Sequence, residues 1–564
     1  MRRLYRKKRR TPLIVLSAFG IFLVIAAVGL TLYGRDLALG AVHTGLDQAG
    51  IQVRTLDLES IRPNGLTLAN VGLGTAGGPE AKAVSIGWSP RSLMRGRATT
   101  VKIDGLVLNA ALKDGSLVVT GLPAGGGGGM PVLPLDRIEL TDTSITLASP
   151  QGKAVLAGNV NVVPATDGLS GDGRLAVKLQ PTSGGPVPLA LDIAALKIVT
   201  TGNLSVEFTG QVTHDVPKPV IAPTEVRASG HMQKNAFAFS GQLSVNKILN
   251  AGFDGAYDVA HGAGSAKLDL APLRFETRGK QPVDLVPIIG TAIEQVSGTL
   301  SGRATFAWGK DDPAVALSLK LDDVGFETSA VRVSALSGDV TLDSVLPPHT
   351  SQVQAATMKL HLPSLDEIPV DLRFSLPGDE RLLIDSAMLG IAGGDLELAN
   401  VELKQDAPLS TTVGVKGVDL SQILTLIGVD GLTGTGTLDG QVPIRIATDG
   451  VSIPGGKLAA RGPGTLAYGG GALPDVAGTS GDSVRLLRQA LGDFRYDSLV
   501  LTLDHKPVGG DSLLIALRGH NPAVLNSHPF AINVRLDANF QRLATVLFEG
   551  YEAFGEMLRR ANNR

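Results

Sequence analysis

The chain has 564 residues, a formal net charge of −2 and no cysteine. Near-neutral charge argues against a nucleic-acid partner, which needs a basic footprint for its phosphates, and the missing thiols exclude disulfides, thiolate metal sites and cysteine nucleophiles. Aromatic residues make up only 4% while mean hydropathy is +0.19, so the apolar surface is built from small aliphatics.

Residues 1–12 form a basic segment containing Arg2, Arg3, Arg6, Lys7, Lys8, Arg9 and Arg10, and no charge follows from Leu13 to Leu32. Twenty residues at a helical rise of 1.5 Å make about 30 Å, the hydrocarbon thickness of a bilayer. A cleavable signal has a shorter apolar region, about 7 to 15 residues. Residues 13–33 therefore read as an uncleaved transmembrane anchor with its N-terminus in the cytoplasm and the bulk of the chain exported. Residues 35–49 read as a short helix ended by Gly50.

From Ile51 onward the period changes to two. IQVRTLDL, LTLANVGL, DRIELTDTSITLAS and NLSVEFTGQV alternate apolar and polar residues between glycine, asparagine, proline or aspartate breaks, which predicts half-buried strands. Residues 123–134 (PAGGGGGMPVLP) read as a flexible connection; they lack the lysine and hydroxyl residue of a phosphate loop. Two short pieces recur: GTLSG at 298–302 and GTLDG at 436–440, each following a VDL, at 283–285 and 418–420. The offset drifts from 135 to 138 residues, so this is no short-period solenoid; it predicts one structural unit used twice. Along 315–322, Val315, Leu317, Leu319 and Leu321 point one way and Ala316, Ser318, Lys320 and Asp322 the other.

Helical patterns are few: 418–428, 482–494 and 539–563. In the last, Leu543, Val546, Leu547, Phe554 and Leu558 fall near one side and predict an amphipathic helix that caps a sheet edge. Chemistry-bearing motifs are few. The nine histidines include no HExxH, GVSIPGGK at 450–457 has the wrong spacing and no hydroxyl residue for a phosphate loop, and there is no GxSxG. The carboxylates sit on polar strand positions or in turns. No enzyme, metal or cofactor is predicted.

A long run of strands with one aliphatic face must place that face against a second sheet, against bilayer lipid, or along a groove. A membrane barrel carries aromatic girdles, which are missing here. A groove would hold acyl chains, and its candidate lining is Val315, Leu317, Leu319 and Leu321, with Leu499, Leu501, Leu503, Leu513, Ile515 and Leu517 from the hairpin DSLVLTLDHKPVGGDSLLIALRG at 497–519.

Several stretches carry a family resemblance. VSIGWSPRSLMRGRATTVKIDGLVLNAALKDGSLVVTGL at 84–122 resembles the recurring pattern of AsmA-like proteins, and LPLDRIELTDTSITLASPQGKAVLAG at 133–158 fits the segment after it. GTLDGQVPIRIATDGVSIPGGKLAARGPGTLAY at 436–468 and LGDFRYDSLVLTLDHKPVGGDSLLIALRGHNPAVLNSHPFAINVRLDANF at 491–540 resemble the C-terminal domain of the YdbH family, historically labelled a dicarboxylate-transport domain. Residues 160–280 add little. The resemblance implies a mainly β fold: a single N-terminal transmembrane helix, then an elongated U-shaped, taco-like β-sheet groove with a few short helices and the C-terminal amphipathic helix. It implies an AsmA-like β segment at 34–160, a central β segment at 161–282 and a YdbH-like groove domain at 283–564. The implied function is an inner-membrane-anchored periplasmic conduit carrying phospholipids to the outer membrane. Its partners would be acyl chains, the inner membrane and, because the chain is short for that family, a small outer-membrane lipoprotein that extends the groove by strand addition. A protein-binding envelope scaffold is the alternative. Dicarboxylate transport fits less well, since an aliphatic lining hosts dianions poorly.

Overall fold

An extended chain throws successive side chains to opposite faces, so a segment that alternates aliphatic with charged or hydroxyl residues lowers its free energy by pairing into a sheet with one face covered. The computed structural model describes residues 52–537 and Phe540, apart from 96, 114–115, 123–134, 150–151, 166, 182–186, 200–203, 218, 235, 288–293, 310–313, 329–330, 346, 363–364, 380, 405–406, 428–430, 448–449, 470–484, 486–487, 508–509 and 538–539. Of what it describes, 75% is strand, which makes the fold mainly β. The expected anchor at 13–33 and the expected C-terminal helix with Leu543, Val546, Leu547, Phe554 and Leu558 lie outside the described residues. Among the described residues no helix is long and apolar enough to cross a membrane.

Two units are distinguished: residues up to 271 with 282–288 and 303–315, and residues 272–281, 289–302 and 316 onward. The first contains β1 (Val53–Arg62), β2 (Gly65–Leu73), β3 (Glu80–Gly87), α1 (Pro90–Met94), β4 (Ala98–Asp104), β5 (Val107–Lys113), β6 (Ser116–Val119), β7 (Leu135–Ser149), β8 (Gly152–Pro164), β9 (Gly168–Pro181), β10 (Val187–Val199), β11 (Ser205–His214), β12 (Thr224–Gln233), β13 (Ala236–Val245), β14 (Leu249–Asp258) and most of β15 (Ala263–Phe275). β1 to β4 form an antiparallel meander. β4 and β5 then pair side by side, in parallel, with the two halves of the longer β7. From β7 to β15 each strand pairs antiparallel with the next. Among the described residues a packed core spans β2, β3, β4 and the start of β7, where Leu66, Leu68, Val84, Ile86, Trp88 and Val101 are each 3% exposed or less.

After β16 (Glu294–Trp308), the second unit runs through β17 (Ala314–Glu327), β18 (Arg332–Leu342), β19 (Ser344–Val345), β20 (Pro348–His349), β21 (Gln354–Leu362), β22 (Leu365–Ser375), β23 (Arg381–Ile391), β24 (Gly394–Lys404), β25 (Leu409–Asp419), α2 (Leu420–Ile427), β26 (Leu432–Thr435), β27 (Thr437–Ala447), β28 (Gly450–Ala460), β29 (Gly464–Tyr468), β30 (Phe494–His505), β31 (Ser512–His520) and β32 (Phe530–Asp537). The antiparallel ladder runs β17, β18, β21, β22, β23, β24, β25, β27, β28, β30, β31, β32. Its packed core lies at the late strands, under α2 and Phe540, and includes Leu420, Leu424, Leu438, Phe494 and Tyr496. The Tyr496 hydroxyl donates to Thr435 O at 2.7 Å; burial pushes that phenol above its ordinary pKa.

The two copies of the pentapeptide share the conformation of their first glycine and the close approach at their last. Gly298 and Gly436 adopt positive φ, 99° and 140°, which side chains rarely tolerate. Four residues on, a Cβ on Gly302 would meet Ser318 O at 2.3 Å, and one on Gly440 would meet Lys457 O at 2.0 Å. Each glycine lets the neighbouring strand approach where any side chain would collide. The preceding VDL also matches: Leu285 and Leu420 are both buried. Bulges with left-handed Asp142, Asp323 and Ala335 interrupt β7, β17 and β18, and such extra residues bend a strand and increase its twist.

Candidate functional site

In the first unit the register of β10 to β15 stacks apolar positions on apolar positions. Leu196 lies opposite Phe208, Phe208 opposite Ala228, Val226 opposite Leu243, Leu243 opposite Ala251 and Phe253 opposite Leu268. Ala251 is buried and the rest of these are half-buried. The alternate residues, among them Glu207, Glu225, Arg227, Gln242, Asp254 and Lys267, are exposed. One side of this sheet is therefore wet. The other is apolar, but covered far less than a packed core.

Glycines interleave with the few aromatic rings of that face. A Cβ built on Gly230 would lie 2.5 Å from the Phe237 ring, on Gly241 2.6 Å from Phe253, on Gly255 2.5 Å from Phe239 and on Gly264 2.4 Å from Trp308. Each ring lies down over a neighbouring strand's bare backbone, which covers the glycine and keeps the floor of the face low. The rings also meet one another: Phe239 and Phe253 are 6.4 Å apart and tilted, Tyr257 and Trp308 6.5 Å apart and stacked.

The second unit repeats the arrangement over β17 to β24. Leu319 lies opposite Val340, Leu321 opposite Gly338, Ala356 opposite Leu372, and Leu389 between Val370 and Leu396. Ala356 and Val370 are buried and Leu396 packs against the core of the late strands; Leu319, Leu321, Val340, Leu372 and Leu389 are half-buried, whereas Lys320, Asp339, Asp371 and Arg373 on the other side are exposed.

On the wet sides, charge is arranged in cross-strand pairs. Arg174 donates to both carboxylate oxygens of Asp192, at 2.5 and 2.9 Å; Arg303 pairs with Asp269 at 2.5 Å and Arg461 with Asp439 at 2.6 Å. The guanidinium hydrogen bond holds the Asp192 carboxyl below its ordinary range, as Arg461 does for Asp439. Exposed pairs of this kind contribute little stability. Their consequence is a strongly solvated outer side. Among the described residues no group of His, Asp and Glu is placed to hold a metal ion.

The predicted lining residues separate into two sets. Val315, Leu317, Leu319 and Leu321 lie on β17 and are half-buried. Leu499, Leu501, Leu503, Leu513, Ile515 and Leu517 form the expected matching stripes, Leu499 opposite Leu517, Leu501 opposite Ile515 and Leu503 opposite Leu513. They are only 0–7% exposed, in one cluster with Leu424, Leu491 and Phe540. These six pack against protein and belong to the closed part of the fold, a correction that removes them from the lining. The face of β10 to β15 was missed because glycines occupy its apolar positions at 210, 230, 241 and 255 and dilute the hydrophobic alternation; the aromatic two residues before Gly210 and two residues before Gly241 is the signal that marks it.

A model of the YdbH-like family, described as intermembrane phospholipid transport protein YdbH, matches residues 146–552. No match was found among curated proteins or among solved structures. The matched stretch contains both half-buried apolar faces and the packed core of the late strands, and by that match the chain belongs to the YdbH-like family of intermembrane phospholipid transport proteins.

Proposed function

We propose that the apolar sides of β10 to β15 and of β17 to β24 carry phospholipid acyl chains, and that the chain works as an inner-membrane-anchored periplasmic conduit between membranes. The observation that carries this reading is the register-continuous, largely half-buried aliphatic side in each unit, backed by a charged and largely exposed side. An acyl chain laid on such a surface leaves water, at roughly 0.8 kcal/mol per methylene fully buried, and its headgroup stays hydrated. Family membership supplies the cargo class. The path is passive: it removes water along the route and sets no direction. For delivery at the outer membrane we propose a small lipoprotein that extends the sheet by adding a strand, a mode in which main-chain hydrogen bonds supply the affinity.

The test is extraction of lipid from the purified full-length chain, parent and variants. Leu319→Asp or Leu243→Asp places a carboxylate where water can still reach it, so the fold survives while co-purified phospholipid falls. A parent protein free of phospholipid would favour the protein-binding scaffold instead.

A further inference from the structure

The stretch WSPRSLMRGR at 88–97 is not used by the lipid-carrying faces. Met94, on α1, is 89% exposed, the most exposed of the large apolar residues described. α1 is held firmly. Ser89 Oγ accepts from Ser92 N at 3.1 Å, Ser92 Oγ accepts from Ser89 N at 2.8 Å, and Arg97 beyond it pairs with Asp136 at 3.1 Å. Trp88, 3% exposed, ties this stretch to the β1–β2 turn: its backbone N–H donates to Asn64 O at 2.9 Å and its indole N–H to Pro63 O at 3.0 Å. That turn follows Ile61, another exposed aliphatic at 41%, and Arg62. Arg62, Arg91 and Arg95 are exposed, and residues 60–64 and 88–97 contain no carboxylate.

We propose that this composite patch, Met94 and Ile61 with Arg62, Arg91 and Arg95, rests on an anionic bilayer surface, the two apolar side chains entering between headgroups and the arginines meeting lipid phosphates. Charge complementarity selects the surface: exposed apolar side chains on two segments joined through Trp88, each segment carrying exposed arginine, suit an anionic interface. Chain length allows it. Twenty residues separate the uncharged stretch ending at Leu32 from Val53; with 35–49 helical, as the sequence predicts, their reach is roughly 40 Å, and β1 is about 33 Å long. The patch thus lies within reach of a membrane holding residues 13–32. The proposal rests on the anchoring part of the function proposed above, and goes beyond it by naming the surface that sets the first strands against the bilayer.

The test uses the full-length chain in proteoliposomes. The sequence has no cysteine, so Met94→Cys and, on the wet side of β15, Lys267→Cys each carry a single environment-sensitive fluorophore. In vesicles of equal parts phosphatidylglycerol and phosphatidylcholine, the label at 94 shifts to the blue and is quenched by lipid-borne nitroxide, while the label at 267 is quenched by aqueous iodide. Reversing Arg62, Arg91 and Arg95 to Glu, with the strand circular dichroism retained, abolishes the shift at 94. Equal iodide quenching at both positions would overturn the proposal. So would a blue shift in detergent that tracks cross-linking to another protein, or failure of the chain to float with vesicles. Lipid co-purification sensitive to Leu319→Asp is read separately, so loss of the patch and loss of the lipid-carrying reading are distinguishable.

Discussion

At Gly241 the backbone lies against two neighbours: a methyl there would meet Arg227 O at 2.3 Å and the Phe253 ring at 2.6 Å. Gly440 is tighter, with Lys457 O at 2.0 Å. Gly241→Ala and Gly440→Ala should each cost about 1–3 kcal/mol, the range for overpacking, read as a lower urea midpoint. Gly252, whose added Cβ meets nothing within 4 Å, is the control, and Gly252→Ala should stay within about 0.5 kcal/mol. The same logic separates leucines that look alike in sequence. Leu501 is 0% exposed, so Leu501→Asp buries an unpaired carboxylate and should cost about 3 kcal/mol or more. Leu319 is half-buried, and Leu319→Asp should leave the melting temperature nearly unchanged. If the two variants melted alike, the division into closed core and open face would fail.

Among the elements, α2 does more than its eight residues suggest, because Leu420 and Leu424 are its contribution to the core over which it sits. Asp419 starts it: the carboxylate accepts from the Ser421 hydroxyl, from Ser421 N at 2.9 Å and from Gln422 N at 3.1 Å. Asp419→Ala should cost about 1 kcal/mol, the usual worth of an N-cap. The Ser421 hydroxyl, then the Gln422 N–H, hold this carboxyl below its ordinary value. A folded value below the unfolded one means the contribution is complete above about pH 4 and is lost as pH falls through the lowered folded value. Asp419→Asn, which still caps, should flatten that part of the acid-unfolding curve; an unchanged curve would show that other carboxylates set it. Elements of this kind mark the limit of sequence reading. Period-two alternation announced β17 and the β30–β31 hairpin with its facing stripes. Alternation states that a face is apolar and nothing about what lies over it. Burial of Leu499 to Leu517 in one cluster with Leu420, Leu424, Leu491 and Phe540 brings together positions distant in sequence, and the glycine-diluted face of β10 to β15 hid its apolar identity in rings that reach across strands.

For the molecule as a whole, what distinguishes this chain from ordinary sandwiches is that, among the described residues, each unit combines a densely packed core with a longer ladder whose apolar side is largely half-exposed. A protein fold leaves that much aliphatic surface uncovered when something else covers it, and family membership identifies phospholipid as the cargo class. The most direct measurement places a photo-crosslinking amino acid at single positions of the full-length chain in cells and identifies adducts by mass spectrometry. Phospholipid adducts should form from Leu243 and Leu319 on the apolar sides, and be absent from Gln242 and Lys320 on the wet sides. Adducts of equal yield on both sides, or only protein adducts from Leu243 and Leu319, would contradict the account.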